Sequence, residues 1–328
     1  MGTEDAILIG VDSGGSKTIG CAISLNGQIV GMGYGGPTNT TFISEDDAAY
    51  AMREAVAGSL GISLSEPVPQ PQVRSIYMSA PGFTADAANR ALSDLCPEGQ
   101  IKVEADPPAV FRAAIPAGDG IVVLSGTGSF AAGLWKGKWL TNGGWGPLLG
   151  DEGSGYWIGL EALKAVALVA DKRAPATLLQ TILRRTLFYS FDEELRRFAY
   201  KQSLNRQRIA GLTILVAQAA REGDEVAYSI LVRAGEKLAE LVENLALRLE
   251  TNGQEVPVSL VGGVARESLV VASFRAAVER NVHGAKYVPP RFEPWGGAVL
   301  LACEMAKIDV TPNLVKNIES VAAQFVRT

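Results

Sequence analysis

The chain has 328 residues, of which 47% are hydrophobic and 20% charged, and its formal net charge is −5. That length suggests about two domains, and that composition excludes a disordered chain. There is no Lys/Arg-rich run to suit nucleic acid, and no apolar stretch near the roughly 20 residues of a membrane span, so neither partner is expected.

Residues 6–11, AILIGV, read as a buried strand. The polar, glycine-rich segment 12–18, DSGGSKT, follows. Two short apolar segments, 19–25 and 28–32, then flank Asn26-Gly27, a hairpin signal. The glycine loop therefore opens into strands, not into a helix. Residues 44–60 predict a helix with Ser44 and Asp47 in a capping-box arrangement and a stop at Gly61. A proline-rich loop at 66–72 precedes a strand at 74–78, which ends in Ser79-Ala80-Pro81-Gly82. A helix at 84–95 and a short strand at 101–103 lead to Asp106, where Pro107-Pro108 opens another helix.

Near 116–119 the pattern restarts. Residues 121–124 are a strand, 125–129 a small-residue loop (SGTGS), and the segments around Gly137 a second hairpin. Both halves thus open as strand, polar glycine loop, hairpin, a weak repeat in architecture. The domains are placed at 1–117 and 118–328, with the final helix able to pack back on the first. Residues 142–155 are glycine-rich, and 156–250 read almost wholly helical, with breaks near 173–175, 190 and 223–224. A strand at 256–261 ends in Gly262-Gly263. A helix at 268–281, a strand at 286–288 and a helix at 294–307 follow, and the tail after 307 carries no assignment.

Cys21, Cys96 and Cys303 are scattered and form no Cys-x-x-Cys pair, which points to a reducing cytoplasm without disulfides or a zinc site. The early acids Glu4 and Asp5 stand where a secretion signal has bases. With His283 as the one histidine, proton transfer in an enzyme would run through carboxylates.

Residues 10–18 approach a Walker A pattern but fail it: Ser16 separates Gly15 from Lys17, and no helix follows. The segment still suits an anion. Gly14 and Gly15 expose amides, Ser16 and Thr18 add hydroxyls, and Lys17 adds charge. Asp12, at a strand end, is placed to hold Mg²⁺ among phosphates, directly or through water. Gly126, Thr127, Gly128 and Ser129 repeat the same chemistry, although an ordinary turn is the alternative for each loop. Gly262 and Gly263 would let a flat base approach the backbone, or form a simple turn. Asp106 is the candidate proton acceptor, and the pattern Asp-Pro-Pro equally fits a helix N-cap.

GVDSGGSKT, SGTGS, GGWGPLLGDEGSGYWIG and VGGV, in this order and at this spacing, resemble the N-acetylglucosamine kinase group of the BadF/BadG/BcrA/BcrD ATPase family, within the sugar kinase, Hsp70 and actin superfamily. The resemblance covers residues 6 to about 305 and departs from the usual pattern at Ser13, Ser16, Pro107 and Phe130. It implies an α/β fold of two RNase H-like (actin-like ATPase) domains, the second enlarged by helices, with ATP and sugar in the cleft between them. It implies phosphate loops at 12–18 and 125–129, adenosine beside Gly262 and Gly263, and Asp106 as general base. Asn39, Ser79, Asp106, Thr127, Gly144, Trp145 and Asp151 would line the sugar site. The expected activity is ATP- and Mg²⁺-dependent phosphorylation of an amino sugar, foremost O6 of N-acetylglucosamine, with glucosamine and N-acetylmuramic acid as alternatives. An iron–sulfur ATPase activator and a sugar-sensing regulator share the fold. The cysteines fit the first poorly, and the regulator would need an added DNA-binding segment. Oligomeric state is left open, a homodimer included.

Overall fold

The computed structural model describes residues 6–14, 17–38, 40, 43–64, 73–97, 99–187, 192–202 and 206–325. The expected loop at 66–72 and the break near 190 lie outside them. The chain divides into two compact units, Met1–Gly118 with Pro290–Thr328, and Asp119–Pro289.

The first unit holds β1 (Ile7–Ser13), β2 (Thr18–Ser24), β3 (Ile29–Gly35), β4 (Val73–Ser79) and β5 (Gln100–Glu104), in the order β3-β2-β1-β4-β5. β1 to β3 form an antiparallel meander, and β4 and β5 join parallel to β1. The turn at Asn26-Gly27 places Gly27 at φ 81°, the left-handed conformation that hairpin chemistry requires. Helices cover both sheet faces. Leu8, Cys21 and Tyr77 pack with α11 (Pro294–Met305) and α12 (Pro312–Phe325). Ile9, Val11 and Met78 pack with α1 (Glu45–Ser59) and α2 (Ala85–Leu92). Burial on both faces is why β1 reads as an unbroken apolar run without alternation.

The sequence pattern placed residues 118–328 in one C-terminal domain with the final helix able to pack back on the first; Pro290–Thr328 group with the first unit. The reason is α11, PWGGAVLLACEM, which is apolar over most of its surface and buries Trp295 to Leu300, Ala302 and Cys303, with Glu304 left at the surface. Its glycines let backbone meet backbone. A Cβ on Gly297 would lie 1.9 Å from the Ala109 carbonyl of α3 (Pro107–Ala114), and a Cβ on Gly10 would lie 2.2 Å from Val299 N. α11 thus fixes β1 against α3. The unassigned tail forms α12, whose buried Leu314, Ile318 and Ala322 make a four-residue stripe.

The second unit repeats the connectivity with β6 (Gly120–Ser125), β7 (Ser129–Trp135), β8 (Lys138–Gly143), β9 (Val256–Val261) and β10 (Ala285–Tyr287), ordered β10-β9-β6-β7-β8. The opening strand again pairs antiparallel with a hairpin on one side and parallel with a later strand on the other. This is the RNase H-like plan of actin-like ATPases, present twice. Between β8 and β9 run α4 (Gly155–Ala170), α5 (Leu178–Leu187), α6 (Asp192–Gln202), α7 (Arg206–Gly211), α8 (Thr213–Arg221) and α9 (Glu225–Leu249). A 3-10 turn at Gly263–Arg266 and α10 (Ser268–Asn281) follow β9. Among the described residues no helix is long and apolar enough to cross a membrane.

Candidate active site

Each unit carries one cluster at the carboxyl ends of its parallel strands, where open α/β sheets bind ligands. In the first unit, Asp12 lies opposite Ser79 in the β1–β4 register. The fully buried Ser79 donates its hydroxyl to Asp106 Oδ1 at 3.0 Å. Asp106 does not cap α3: its backbone is already helical (φ −54°, ψ −35°) and its side chain makes no capping bond. Of the two amides an N-cap oxygen can accept from, the second and third of the helix, Pro108 removes one, and the helical backbone of Asp106 leaves its side chain without a bond to the other. The carboxylate is therefore oriented by Ser79 instead.

Both acids are held above the ordinary carboxylate range. Burial, followed by the neighbouring charges of Asp106 and Glu293, pushes Asp12 up to about 7, against the pull of Lys17. Burial raises Asp106, and the Ser79 hydroxyl draws it back down. Glu293 was not anticipated. It precedes Pro294 at the start of α11, the same acid–proline opening as Asp106-Pro107, and it reaches the site because α11 returns to this unit.

The first glycine loop closes as a turn, with Gly14 N donating to the Lys17 carbonyl at 3.2 Å. Ser13 bonds the hydroxyls of Thr18 (2.9 Å) and of Thr38. Thr18, fully buried, donates to the Gly36 carbonyl at 2.7 Å, so its hydroxyl pins the loop instead of facing outward as expected. Lys17 is exposed, and a Cβ on Gly14 would meet nothing within 4 Å. Gly15, Ser16 and Asn39 lie outside the described residues.

In the second unit, the loop between β6 and β7 is stitched to the start of α4. Ser125 Oγ donates to the Gly153 carbonyl at 2.9 Å and Ser129 Oγ to the Glu152 carbonyl at 2.9 Å. Gly155 N and Tyr156 N donate to the Gly126 and Thr127 carbonyls at 2.8 and 3.3 Å. The Ser129 hydroxyl is thus spent on the loop. Gly126, Thr127 and Gly128 are partly exposed, and the Thr127 and Gly128 amides take no part in the stitching.

Asp151 was expected at the sugar. It is 4% exposed and in a left-handed conformation (φ 61°), accepting from Ser129 N at 3.3 Å and from Arg206 at 2.5 Å. Each oxygen thus holds one hydrogen bond within the unit, and a carboxylate oxygen can accept a second. Trp145 is 73% exposed and so is not part of the core, and Gly144 beside it is exposed with φ 75°. Gly262 has φ 101°, and a Cβ on it would lie 2.4 Å from the Ser125 carbonyl; one on Gly263 would face open space. Gly262 therefore locks β9 to the loop, and Gly263 leaves room for a ligand.

Among the described residues no group of three or more His, Cys, Asp or Glu is arranged to hold a metal. A hydrated divalent ion that takes a single carboxylate still fits, because Mg²⁺ on phosphates keeps much of its water. Asp12, crowded by two other acids, is the residue such an ion would relieve.

The family model for BadF/BadG/BcrA/BcrD ATPases matches residues 9–302. The chain belongs to that family. A curated relative of this BadF-family ATPase, the N-acetylmuramic acid/N-acetylglucosamine kinase of Clostridium acetobutylicum, is 30% identical over 304 residues, covering 90% of this chain and 97% of the relative. The N-acetyl-D-glucosamine kinase of Dictyostelium discoideum is 28% identical, covering 92% and 99%. Two solved structures share the fold. A Chromobacterium violaceum protein provisionally assigned as an N-acetylglucosamine kinase has TM-score 0.72 and 23% identity, covering 90% of this chain and 98% of its own. A ROK-family glucokinase from Streptomyces griseus has TM-score 0.56 and 18% identity, covering 92% and 99%.

Proposed function

We propose that this BadF-family ATPase is an ATP-dependent amino-sugar kinase that phosphorylates O6 of N-acetylglucosamine, with Asp106 as general base. The observation that carries the reading is the Asp106 carboxylate: released from helix capping, oriented by Ser79 and set beside Asp12. Phosphoryl transfer needs positioning, charge stabilisation and a group that takes the hydroxyl proton. Asp106 accepts that proton, and Ser79 aims the accepting oxygen. The open amides of the 125–129 loop and the backbone at Gly14 hold phosphate oxygens. Gly263 leaves space for the adenosine, and Asp12 holds Mg²⁺, which supplies charge neutralisation on the phosphates when bound. Gly144, Trp145 and Thr127 contact the sugar.

The three cysteines favour this reading over an iron–sulfur activator. All are buried, and burial pushes the thiols of Cys21, Cys96 and Cys303 up to about 12, 11 and 12. Thiolate, the ligand form, is strongly disfavoured there.

The test is an ADP-release assay with Mg-ATP over N-acetylglucosamine, glucosamine, N-acetylmuramic acid, N-acetylmannosamine and glucose. N-acetylmuramic acid is included because the C. acetobutylicum relative is named for it as well. Turnover on one amino sugar, reduced about 10²–10⁴-fold in Asp106→Ala, supports the reading. ATP hydrolysis that no sugar stimulates overturns it.

A further inference from the structure

α6 carries a narrow apolar stripe, Leu195, Phe198 and Ala199 at helical spacing in the otherwise charged sequence DEELRRFAYKQ. Among its described side chains only Leu195 is buried. α6 therefore does not close fully against α4. Alanines stand where larger side chains would fill the gap, Ala167 and Ala170 on α4 and Ala199 on α6, and they line a cavity of about 490 Å³ with Ile209 of α7 at its buried side. Close-packed interiors leave few voids larger than a water molecule, and this volume lies within the roughly 300–1,000 Å³ of small-molecule sites. None of the residues assigned above to sugar, phosphate or adenosine lines it.

The rim decides the charge of the occupant. Lys164 is paired with Glu161 at 2.9 Å, and Asp171 with Arg173 at 4.0 Å. Arg196 lines the same cavity, is exposed, and has no ion pair or hydrogen bond among the described residues. The Tyr156 hydroxyl, also at the cavity, is likewise without a partner among them. A planar guanidinium offers a carboxylate two parallel N–H donors, and a phenol adds a third. The surroundings agree. Residues 171–208 hold nine Lys and Arg against four Asp and Glu, in a chain whose net charge is −5, so the field over this insert favours an anion. The remaining lining is mostly aliphatic, with Leu160 and Leu163 beside the alanines, a surface that a flexible alkyl chain can follow and that gains with each methylene buried.

We propose that this cavity is a binding site for a medium-chain alkyl carboxylate, its chain laid along Leu160, Ala167 and Ala199 and its head group held by Arg196 and the Tyr156 hydroxyl. The site lies within the second unit and is separate from the glycine loops, so the inference does not rest on the kinase reading.

The experiment is calorimetric titration of the full chain with monomeric decanoate, hexanoate and decyltrimethylammonium, in wild type, Arg196→Ala, Arg196→Lys and Ala167→Trp, with melting curves for each. Decanoate should saturate at one per chain and bind at least about tenfold more tightly than hexanoate. Arg196→Ala should weaken decanoate by about tenfold, and Arg196→Lys should recover part of that loss, since it restores the charge without the planar fork. Ala167→Trp fills the cavity from an exposed helix position, so it should melt within about 2 °C of wild type and lose decanoate binding. Saturating Mg-ADP should leave the decanoate affinity within about threefold. A folded Ala167→Trp that binds decanoate like wild type overturns the proposal. So does decyltrimethylammonium that binds as tightly as decanoate, which would mark a greasy surface without a carboxylate site, and so does competition with Mg-ADP, which would put the carboxylate among the phosphate loops.

Discussion

Asp12→Asn should make the protein less active and more stable, with the stability gain growing from about pH 4 and full above about pH 7. Asp12 is crowded by Asp106 and Glu293 and is buried enough that its carboxyl titrates near 7 instead of 3.8. The sign follows from proton binding. Well below 3.8 the side chain is neutral in the folded protein and in the unfolded chain, so substitution changes little. Between about 4 and 7 the unfolded chain ionises while the folded protein keeps its proton, so wild-type stability falls as pH rises. Above 7 the full cost of a crowded, buried charge is present. At about 1.4 kcal/mol per pH unit, that cost has a ceiling of about 4 kcal/mol. Asp12 is partly exposed, and relaxation around it should leave about half, about 2 kcal/mol. For a unit of this size that is about 4–8 °C in Tm. Melting curves of wild type and Asp12→Asn at pH 4.5 and pH 8.5 measure it. A variant that melts higher at pH 8.5, with a clearly smaller gap at pH 4.5, is expected, together with a loss of turnover of about 100-fold or more. A gap of the same size at both pH values, or a variant less stable at pH 8.5, would refute the argument that the three acids strain one another.

Ser79→Ala removes the bond that draws Asp106 downward, so the acidic limb of the kcat/KM profile should move to higher pH, with a larger loss at pH 6 than at pH 8. Gly297→Ala drives a Cβ into the Ala109 carbonyl and should cost about 3 kcal/mol in the first unit, seen as a lower urea midpoint. Gly126→Ala meets nothing within 4 Å, so its Tm should stay within about 2 °C of wild type. Its Mg-ADP affinity should fall about tenfold, because the methyl group would occupy space the phosphates need. Gly262→Ala should lower Tm, since it combines a strained φ with a clash at Ser125, whereas Gly263→Ala should leave Tm unchanged and weaken adenosine binding in the same titration.

The strands, the two hairpins and the glycine loops were legible in the chain because each is written in short range. A buried strand is a run of apolar residues, a hairpin is Asn-Gly, and α1 announces itself through Ser44, whose side chain accepts from Asp47 N. α10 at 268–281 was read with the bounds it has. The repeat was legible for the same reason, since strand, polar loop and hairpin recur in order. α12 was missed although its four-residue stripe was present, because a short amphipathic helix beyond the family motifs carries little signal by itself.

What the tertiary structure decided lies between residues far apart. Ser79 and Asp106 are 27 positions apart, and only the fold brings them into the hydrogen bond that holds the Asp106 carboxylate, which makes no capping bond to α3. Arg206 is 55 positions from Asp151, and no periodicity links them. Glu293 enters because a mostly apolar helix returns to the first sheet to be buried, and it carries the acid before it along. Local sequence specifies which groups a loop offers. Which of those groups are already satisfied by the protein, and which are left for a ligand, depends on partners that only folding brings within hydrogen-bond distance.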